Sequence, residues 1–580
     1  MPRKFVLVDH SLRNLGGHHY PYAYSVLQAA QRAGWQAVLV TNRKFRERQA
    51  LPADWQVLAI FDHPSYSRHT LDTQAQSAGR PRRLLAGWWL KLAALWGERA
   101  RTRLIAAFAA NCRELFDRAG PGAGDLIFFA TTSELDLAGL SSFLAGSRAG
   151  LDLSWHLQFH FGVFYGREPD YAAQGAAAGR MRTALSAALQ PLAAWNLQCY
   201  CTTEQLSAQY RRLGVATFTT LPYPVHELFS APRTGPRPSM PARIACLGHS
   251  RREKGYQLLI PLLRELWSDW FATGRAQLVL QTHRRGQRRS LEEVTARLGA
   301  QGGRTPAPLA FAGFPLALEQ YAELLRSADL GLLLYDGARY YARCSGVLLE
   351  MLGAGVPVLV PAGSWLSEQI AEQTQLHLER VAATAATTAA LNSVSAASCS
   401  DAPTSIACAS AAATTALLVE FTWRSPLTPG TYLRFELEQS AAAGAAADGA
   451  LIRTTAIVGA RERGGSVRIL FRLRAGLSSV RLLCSNAWHD GPVTISDLRC
   501  LPITGSVPPL GAIGLAFADL SCVSEPLRDL LEHLPHYQRN AAAYAHECAH
   551  RHGAGQIVQQ LEARARSGAS AEIAAPHADP

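Results

Sequence analysis

The sequence shows no run that reads as a secretory leader, so none is expected, and no apolar run approaches the roughly 20 residues that a bilayer-spanning helix needs. Met1-Pro2-Arg3-Lys4 passes directly into Phe5-Val6-Leu7-Val8-Asp9, which reads as a first strand. The expectation is a cytoplasmic protein. Regular cysteine spacing is missing too: the 11 cysteines are odd in number, and Cys199 and Cys201 lie in an apolar run with no second pair at metal spacing. That argues against a disulfide framework or a zinc site and for reduced core thiols. Charged residues are few, 18% against 48% hydrophobic, which excludes a disordered chain. Lysine is scarce, so arginine carries nearly all of the positive charge behind the net +12. Such a balance favours anionic partners without choosing among phosphates, nucleic acid and an acidic membrane face. No nucleic-acid module or aromatic–basic platform is present, and no nucleic-acid partner is expected.

What is present is a repeated alternation of strand and helix signals. Apolar runs at 5–8, 37–40, 57–61, 125–129, 153–161 and 198–201 are separated by helical stretches, the first over 20–33 after a Gly16-Gly17 turn. This grammar predicts a parallel sheet covered on both faces. It restarts at 244–247 and continues through 277–280, 309–311, 330–334 and 356–360. From 417 to 498 the pattern changes to period two: Leu433, Phe435 and Leu437 alternate with Tyr432, Arg434 and Glu436, and Val467, Ile469, Phe471 and Leu473 alternate with Arg468 and Arg472. Pro429-Gly430, Gly464-Gly465 and Gly491-Pro492 supply turns, so a small antiparallel sandwich is predicted.

The expected fold class is therefore α/β: two Rossmann-like lobes, the second interrupted by an inserted antiparallel β-sandwich. The boundaries read as 1–228 for the first lobe and 229–242 for a proline-rich linker. The second lobe begins over 243–380, followed by a low-complexity Ala/Thr/Ser loop at 381–416 and the sandwich at 417–503. The second lobe then closes with helices over 504–566, and 567–580 is a disordered tail.

The strongest chemical signal is Tyr340-Tyr341-Ala342-Arg343-Cys344-Ser345-Gly346-Val347-Leu348-Leu349-Glu350, continuing to Gly355-Val356-Pro357-Val358. Ser345-Gly346 would start a helix after a loop, where free backbone N–H groups favour a diphosphate. Glu350, one turn further in, suits two ribose hydroxyls. Here the chain resembles the retaining GT-B glycosyltransferases of the family-4 type. Their sugar-nucleotide site carries a Glu, seven residues, a second Glu, then Ala-x-x-x-Gly-x-Pro-Val. Glu350 matches the second Glu and 355–358 the tail, whereas the first Glu falls at Ala342 and is missing. That departure bears on the sugar and on retention; Arg343 is the candidate for meeting the phosphates instead. Leu247-Gly248-His249-Ser250-Arg251-Arg252-Glu253-Lys254-Gly255 is similar to the family's Gly-x-x-Arg-x-x-Lys-Gly loop, so Arg251 and Lys254 are implied to bind the donor diphosphate and stabilise its leaving charge. A solvated basic turn is the plainer alternative.

In the first lobe, Asn14-Leu15-Gly16-Gly17-His18-His19-Tyr20 fills the first strand-to-helix turn, where glycines permit close approach of a ligand. The resemblance puts Gly16 and Gly17 on the donor side and His18 and His19 on the acceptor side. The two histidines lack a third metal ligand, and packing or capping is the competing reading. His160 ends an apolar strand and matches a family histidine that contacts the donor sugar, with His156 as the alternative and a structural role open for either. Thr202-Thr203-Glu204 reads as a helix cap. Catalytic roles are thus expected for His160, Arg251 and Lys254, and donor binding for Gly16, Gly17, Arg251, Lys254, Arg343, Ser345, Gly346 and Glu350.

The resemblance implies a glycosyltransferase moving a sugar from a nucleoside-diphosphate sugar to a glycan or lipid-linked hydroxyl acceptor, with no cofactor and no metal, in surface polysaccharide assembly. The basic, tryptophan-rich stretch 80–96 suits peripheral contact with the inner membrane face, or simply a helix packed on the first lobe. Trp423, Tyr432 and Trp488 of the sandwich are candidates for stacking on sugar rings, with core packing as the alternative. The rival functions are a sugar-nucleotide epimerase or inverting transferase of the same shape, and a non-catalytic glycan-binding scaffold.

Overall fold

Phe5, Val6, Leu7 and Val8 are all buried, as in a strand covered by helices on both faces. They form the centre of strand β1 (Lys4–Asp9) in a computed structural model that describes the chain apart from residues 1, 66–85, 147–149, 165–173, 231–239, 249, 283, 301–306, 315, 386–391, 400–403, 410–413, 425–431, 441–451, 460–465, 475–478, 487–492 and 568–580. Strands β2 (Gln36–Asn42), β3 (Gln56–Phe61), β4 (Leu126–Thr132), β5 (Ser154–Phe159), β6 (Asn196–Cys201) and β7 (Phe218–Thr220) join it in the all-parallel order β3-β2-β1-β4-β5-β6-β7. The strand order reverses between β1 and β4, so the loops leaving their carboxyl ends run apart and open a crevice there.

The same logic builds a second sheet. Strands β8 (Ala242–Cys246), β9 (Ala276–Gln281), β10 (Leu309–Ala312), β11 (Leu330–Leu332) and β12 (Val358–Pro361) are parallel in the order β10-β9-β8-β11-β12, with the switch between β8 and β11. After β12 comes the helix Trp365–Ala385, and then eight antiparallel strands: β13 (Asn392–Cys399), β14 (Thr404–Ala409), β15 (Thr414–Arg424), β16 (Tyr432–Ser440), β17 (Ile452–Gly459), β18 (Ser466–Arg472), β19 (Ser479–Asn486) and β20 (Val493–Thr504). They form sheets β13-β20-β15-β18 and β14-β19-β16-β17. β21 (Gly514–Phe517) then pairs in parallel with β12 and completes the Rossmann-like sheet.

The inward set of the two antiparallel sheets follows period two: Leu417, Val419, Phe421 and Trp423 from β15 meet Leu433, Phe435 and Leu437 from β16 in one core. The opposite face of β15 and β18 is apolar as well. Leu418 and Leu470 pack on Leu378 of the helix Trp365–Ala385. Gln375 of that helix accepts from the Arg468 N–H at 2.7 Å and donates to the Arg468 carbonyl at 3.0 Å, which seals the joint.

Two sequence expectations need correction. The stretch 381–416 is not one loop: the helix runs to Ala385, and β13, β14 and the start of β15 follow. β13 and β14 are edge strands held by backbone ladders to β20 and β19, a position that does not demand large apolar residues. The closing segment 504–566 does not belong wholly to the second lobe. One compact unit comprises 1–164, 174–227 and the chain from His550 on, and the other 228–549 with 165–173. The helix Ala554–Ser567 buries Ile557, Val558 and Leu561 and packs on the helix His19–Arg32, with the Trp35 indole donating to Glu562. Of the tryptophan-rich stretch, 80–85 lies outside the described residues and 86–96 opens the helix Ala86–Ala119, its side chains there also outside. No helix among the described residues is long and apolar enough to cross a membrane.

Candidate functional site

In the second unit the loops leaving β8 and β11 flank the switch point, and the residues singled out from sequence stand on them. The β8 loop folds back tightly: Gly255 sits at φ +71, and a Cβ there would lie 2.0 Å from the Leu334 carbonyl oxygen, so only glycine fits. This presses Lys254 against the β11 loop, its Nζ 4.9 Å from the centre of the Tyr335 ring. A Cβ on Gly248 would stand 2.9 Å from the same Nζ. Arg251 remains half exposed at 53%, 3.7 Å from Glu253.

The β11 loop ends at Ser345, which caps the helix Gly346–Gly353 by accepting from the Leu348 N–H at 3.3 Å. The N–H groups of Gly346 and Val347 are left outside the helix's own ladder, at its positive end. Glu350 lies one turn in, 9% exposed, and accepts from the Tyr321 hydroxyl at 2.8 Å. Burial pushes the Glu350 carboxyl up to about 7, with the Tyr321 hydrogen bond and the Lys254 charge pulling the other way. Arg343 and Lys254 both act on the buried Tyr340 hydroxyl. The geometry thus brings Arg251, Lys254, Arg343, Ser345, Gly346 and Glu350 into one neighbourhood. Ala342, where the resemblance would place a carboxylate, is buried at 1%.

Sequence reasoning missed the three tyrosines. Tyr321 orients Glu350 from the helix Leu318–Ser327. Tyr335, 2% exposed, has a hydroxyl without a hydrogen bond of ordinary geometry, with Ser345, Glu350 and Arg251 as its polar neighbours. Tyr340 packs on it at 4.6 Å between ring centres. Tyr335 ends an apolar stretch, where tyrosine reads as core, and Tyr321 and Tyr340 lie among charged residues that give no sign of where their hydroxyls point.

The first unit carries a separate cluster at the carboxyl ends of β1 and β5. Gly17 adopts φ +84 with open space around it, so the turn's conformation alone requires glycine, while Asn14 braces the turn by accepting from the Gly16 N–H at 3.1 Å. The His18 and His19 rings lie against each other, tilted by 32° with centres 4.2 Å apart, and His19 Nδ1 lies 2.9 Å from the Asp9 carboxylate. Asp9 is held below the usual carboxylate range: burial opposes this, and His19, His10 and the Ser11 N–H outweigh burial. His160 Nε2 donates to the Ala130 carbonyl at 2.6 Å, and burial lowers its pKa to about 4, so the ring is neutral with its lone pair on Nδ1.

His156, the alternative to His160, is fully buried, with Ser154 on one ring nitrogen and Tyr200 on the other; its role is structural. His10 sits between Ser65 at 2.6 Å and Asp136 at 3.4 Å. Both meet Nε2, so the ring cannot relay a proton from one to the other as a nucleophilic triad does. In the sandwich, Trp423 and Tyr432 are 4% and 1% exposed, which overturns sugar stacking for both; Tyr432 instead packs edge-on against Tyr341 at 5.9 Å. Trp488 lies outside the described residues.

No protein-family model matches the chain, and no curated protein matches it significantly. Among solved structures it is similar to the N-terminal domain of a trehalose-6-phosphate phosphatase from Candida albicans, at 13% identity and TM-score 0.36 over 64% of this chain and 87% of the other. It is also similar to a UDP-forming α,α-trehalose-phosphate synthase from Burkholderia xenovorans, at 13% identity and TM-score 0.41 over 64% and 86%. A complex of such a synthase with glucose-6-phosphate gives 11%, 0.42, 63% and 87%. These likenesses are distant.

Proposed function

We propose that the chain is a glycosyltransferase of the GT-B kind whose second unit binds a nucleoside-diphosphate sugar and transfers the sugar to a hydroxyl acceptor. One observation carries this: at the switch point of the second sheet, two cations and a capped helix start share one neighbourhood with a buried carboxylate a turn further in. The cations and the helix N–H groups suit a diphosphate. The carboxylate suits the paired hydroxyls of a ribose. As the glycosidic bond breaks, charge builds on the departing diphosphate, and Arg251 and Lys254 are placed to stabilise it. In this reading they supply the positive charge for which a divalent ion would otherwise serve, and transfer assayed in EDTA is expected to persist.

On the acceptor side, the Asp9 carboxylate beside Nδ1 favours the His19 tautomer with its lone pair on Nε2. The retained anomeric configuration implied by the resemblance is the finer question, because Ala342 provides no carboxylate. A calorimetric panel of UDP, GDP, ADP, CDP and dTDP against the full chain tests the donor reading. Binding of one of them, lost in K254A with the fold intact, supports it. A wild-type chain that binds none overturns it and favours the scaffold reading. NMR of the product anomer from the matching sugar nucleotide then decides between retention and inversion.

A further inference from the structure

Resting on that donor site, we propose that Tyr335 is a further binding residue: its hydroxyl donates a hydrogen bond to the diphosphate of the bound nucleotide. A hydroxyl 2% exposed and without a hydrogen bond of ordinary geometry costs stability in the unliganded protein, unless something it binds repays the cost. The neighbours say what that partner is. Arg251 and Lys254 are cationic; the Ser345 hydroxyl, engaged as acceptor of the Leu348 N–H, can offer the Tyr335 oxygen only a proton; and the Glu350 carboxyl, the acidic neighbour, already accepts from Tyr321. A group completing this set is an acceptor and an anion. Burial also holds the Tyr335 hydroxyl above its ordinary pKa, so it keeps its proton beside an incoming negative charge.

The ring itself is fixed independently of the hydroxyl. Lys254 lies over it, Tyr340 packs on it, and the close approach of Gly255 to Leu334 anchors the preceding residue. Tyr335→Phe therefore deletes the donor while leaving the packing. Calorimetry with the tightest of the five nucleoside diphosphates, and with its parent nucleoside, reads the effect. Y335F is expected to bind the diphosphate roughly ten- to a hundredfold more weakly, the range of a hydrogen bond to a charged group. Affinity for the nucleoside should be unchanged, and the melting temperature of the unliganded protein unchanged or higher. Diphosphate affinity equal to wild type overturns the proposal. So does an equal loss for nucleoside and diphosphate with a lowered melting temperature, which would mark Tyr335 as packing. A wild-type chain that binds no nucleoside diphosphate is a different failure, that of the donor site itself.

Discussion

Glu350 is a carboxyl group buried far enough to reach a pKa of about 7, and its task on the reading above requires the charged form. Only the carboxylate accepts through both oxygens, and Tyr321 already occupies one. Nucleotide affinity should therefore fall several-fold as pH drops from 8 to 6, and the same titration on E350Q should be weak and flat. Stability moves the opposite way. A folded-state pKa raised above the ordinary 4.5 gives stability that is present below 4.5 and lost as pH rises through about 7. E350Q is expected to gain on the order of 1–3 kcal/mol over wild type at pH 8, and nothing at pH 4, in denaturant titrations. A variant stabilised equally at both pH values would remove Glu350 from this account. Glu350 was legible in the sequence because its spacing from Gly355-Val356-Pro357 carries the signal. Tyr321 and Tyr335 were not, because a hydroxyl's direction is set by tertiary packing. His156 and His160 show the same limit: their spacing allowed either to be the site residue, whereas His156 is sealed inside the strand between Ser154 and Tyr200 and His160 lies just beyond its end.

Elements were legible where their period was strong and obscure where it was weak. Leu433-x-Phe435-x-Leu437 announced β16, and its side chains do line the sandwich core. The Ala/Ser/Thr segments that became β13 and β14 have no apolar period, since an edge strand can be recruited by its backbone alone. The polar contacts that accompany the apolar joint between the sandwich and the Rossmann-like sheet were also invisible in the sequence. Arg472 of β18 reaches Asp529 of the helix Ser524–Glu532 at 2.8 Å. Asp529 is 1% exposed, accepts from Tyr537 at 2.5 Å, and is pushed up by burial. Arg472→Leu strands that carboxylate and should cost about 2–4 kcal/mol, discounted for the partial exposure of Arg472. Adding Asp529→Asn should recover a large part of the loss, since the amide needs no counter-charge. Additive losses in the double variant would mean that the pair is not coupled.

At the scale of the molecule, a helix pattern reveals that one face is buried but not which unit buries it, and so the last helix was assigned to the wrong unit. After the helix Leu534–Arg551 the chain returns to the first unit, where His552 bonds through its backbone oxygen to the Val225 N–H at 2.9 Å and through Nδ1 to the Tyr223 carbonyl at 3.2 Å. Ile557, Val558 and Leu561 then bury their side chains, each contributing about 2 kcal/mol of apolar burial. Ending the chain after Gly553 exposes the surface of the helix His19–Arg32 that they cover, and leaves untouched the residues of the second unit proposed to hold the nucleotide. Two units with separate cores are expected to melt in two calorimetric steps, of which nucleoside diphosphate raises only one. The truncation should lower the other step by several degrees and leave nucleotide affinity within about twofold of the full chain. If the nucleotide-responsive step falls instead, the terminal helix supports the donor unit, and the division of the chain at His550 is wrong.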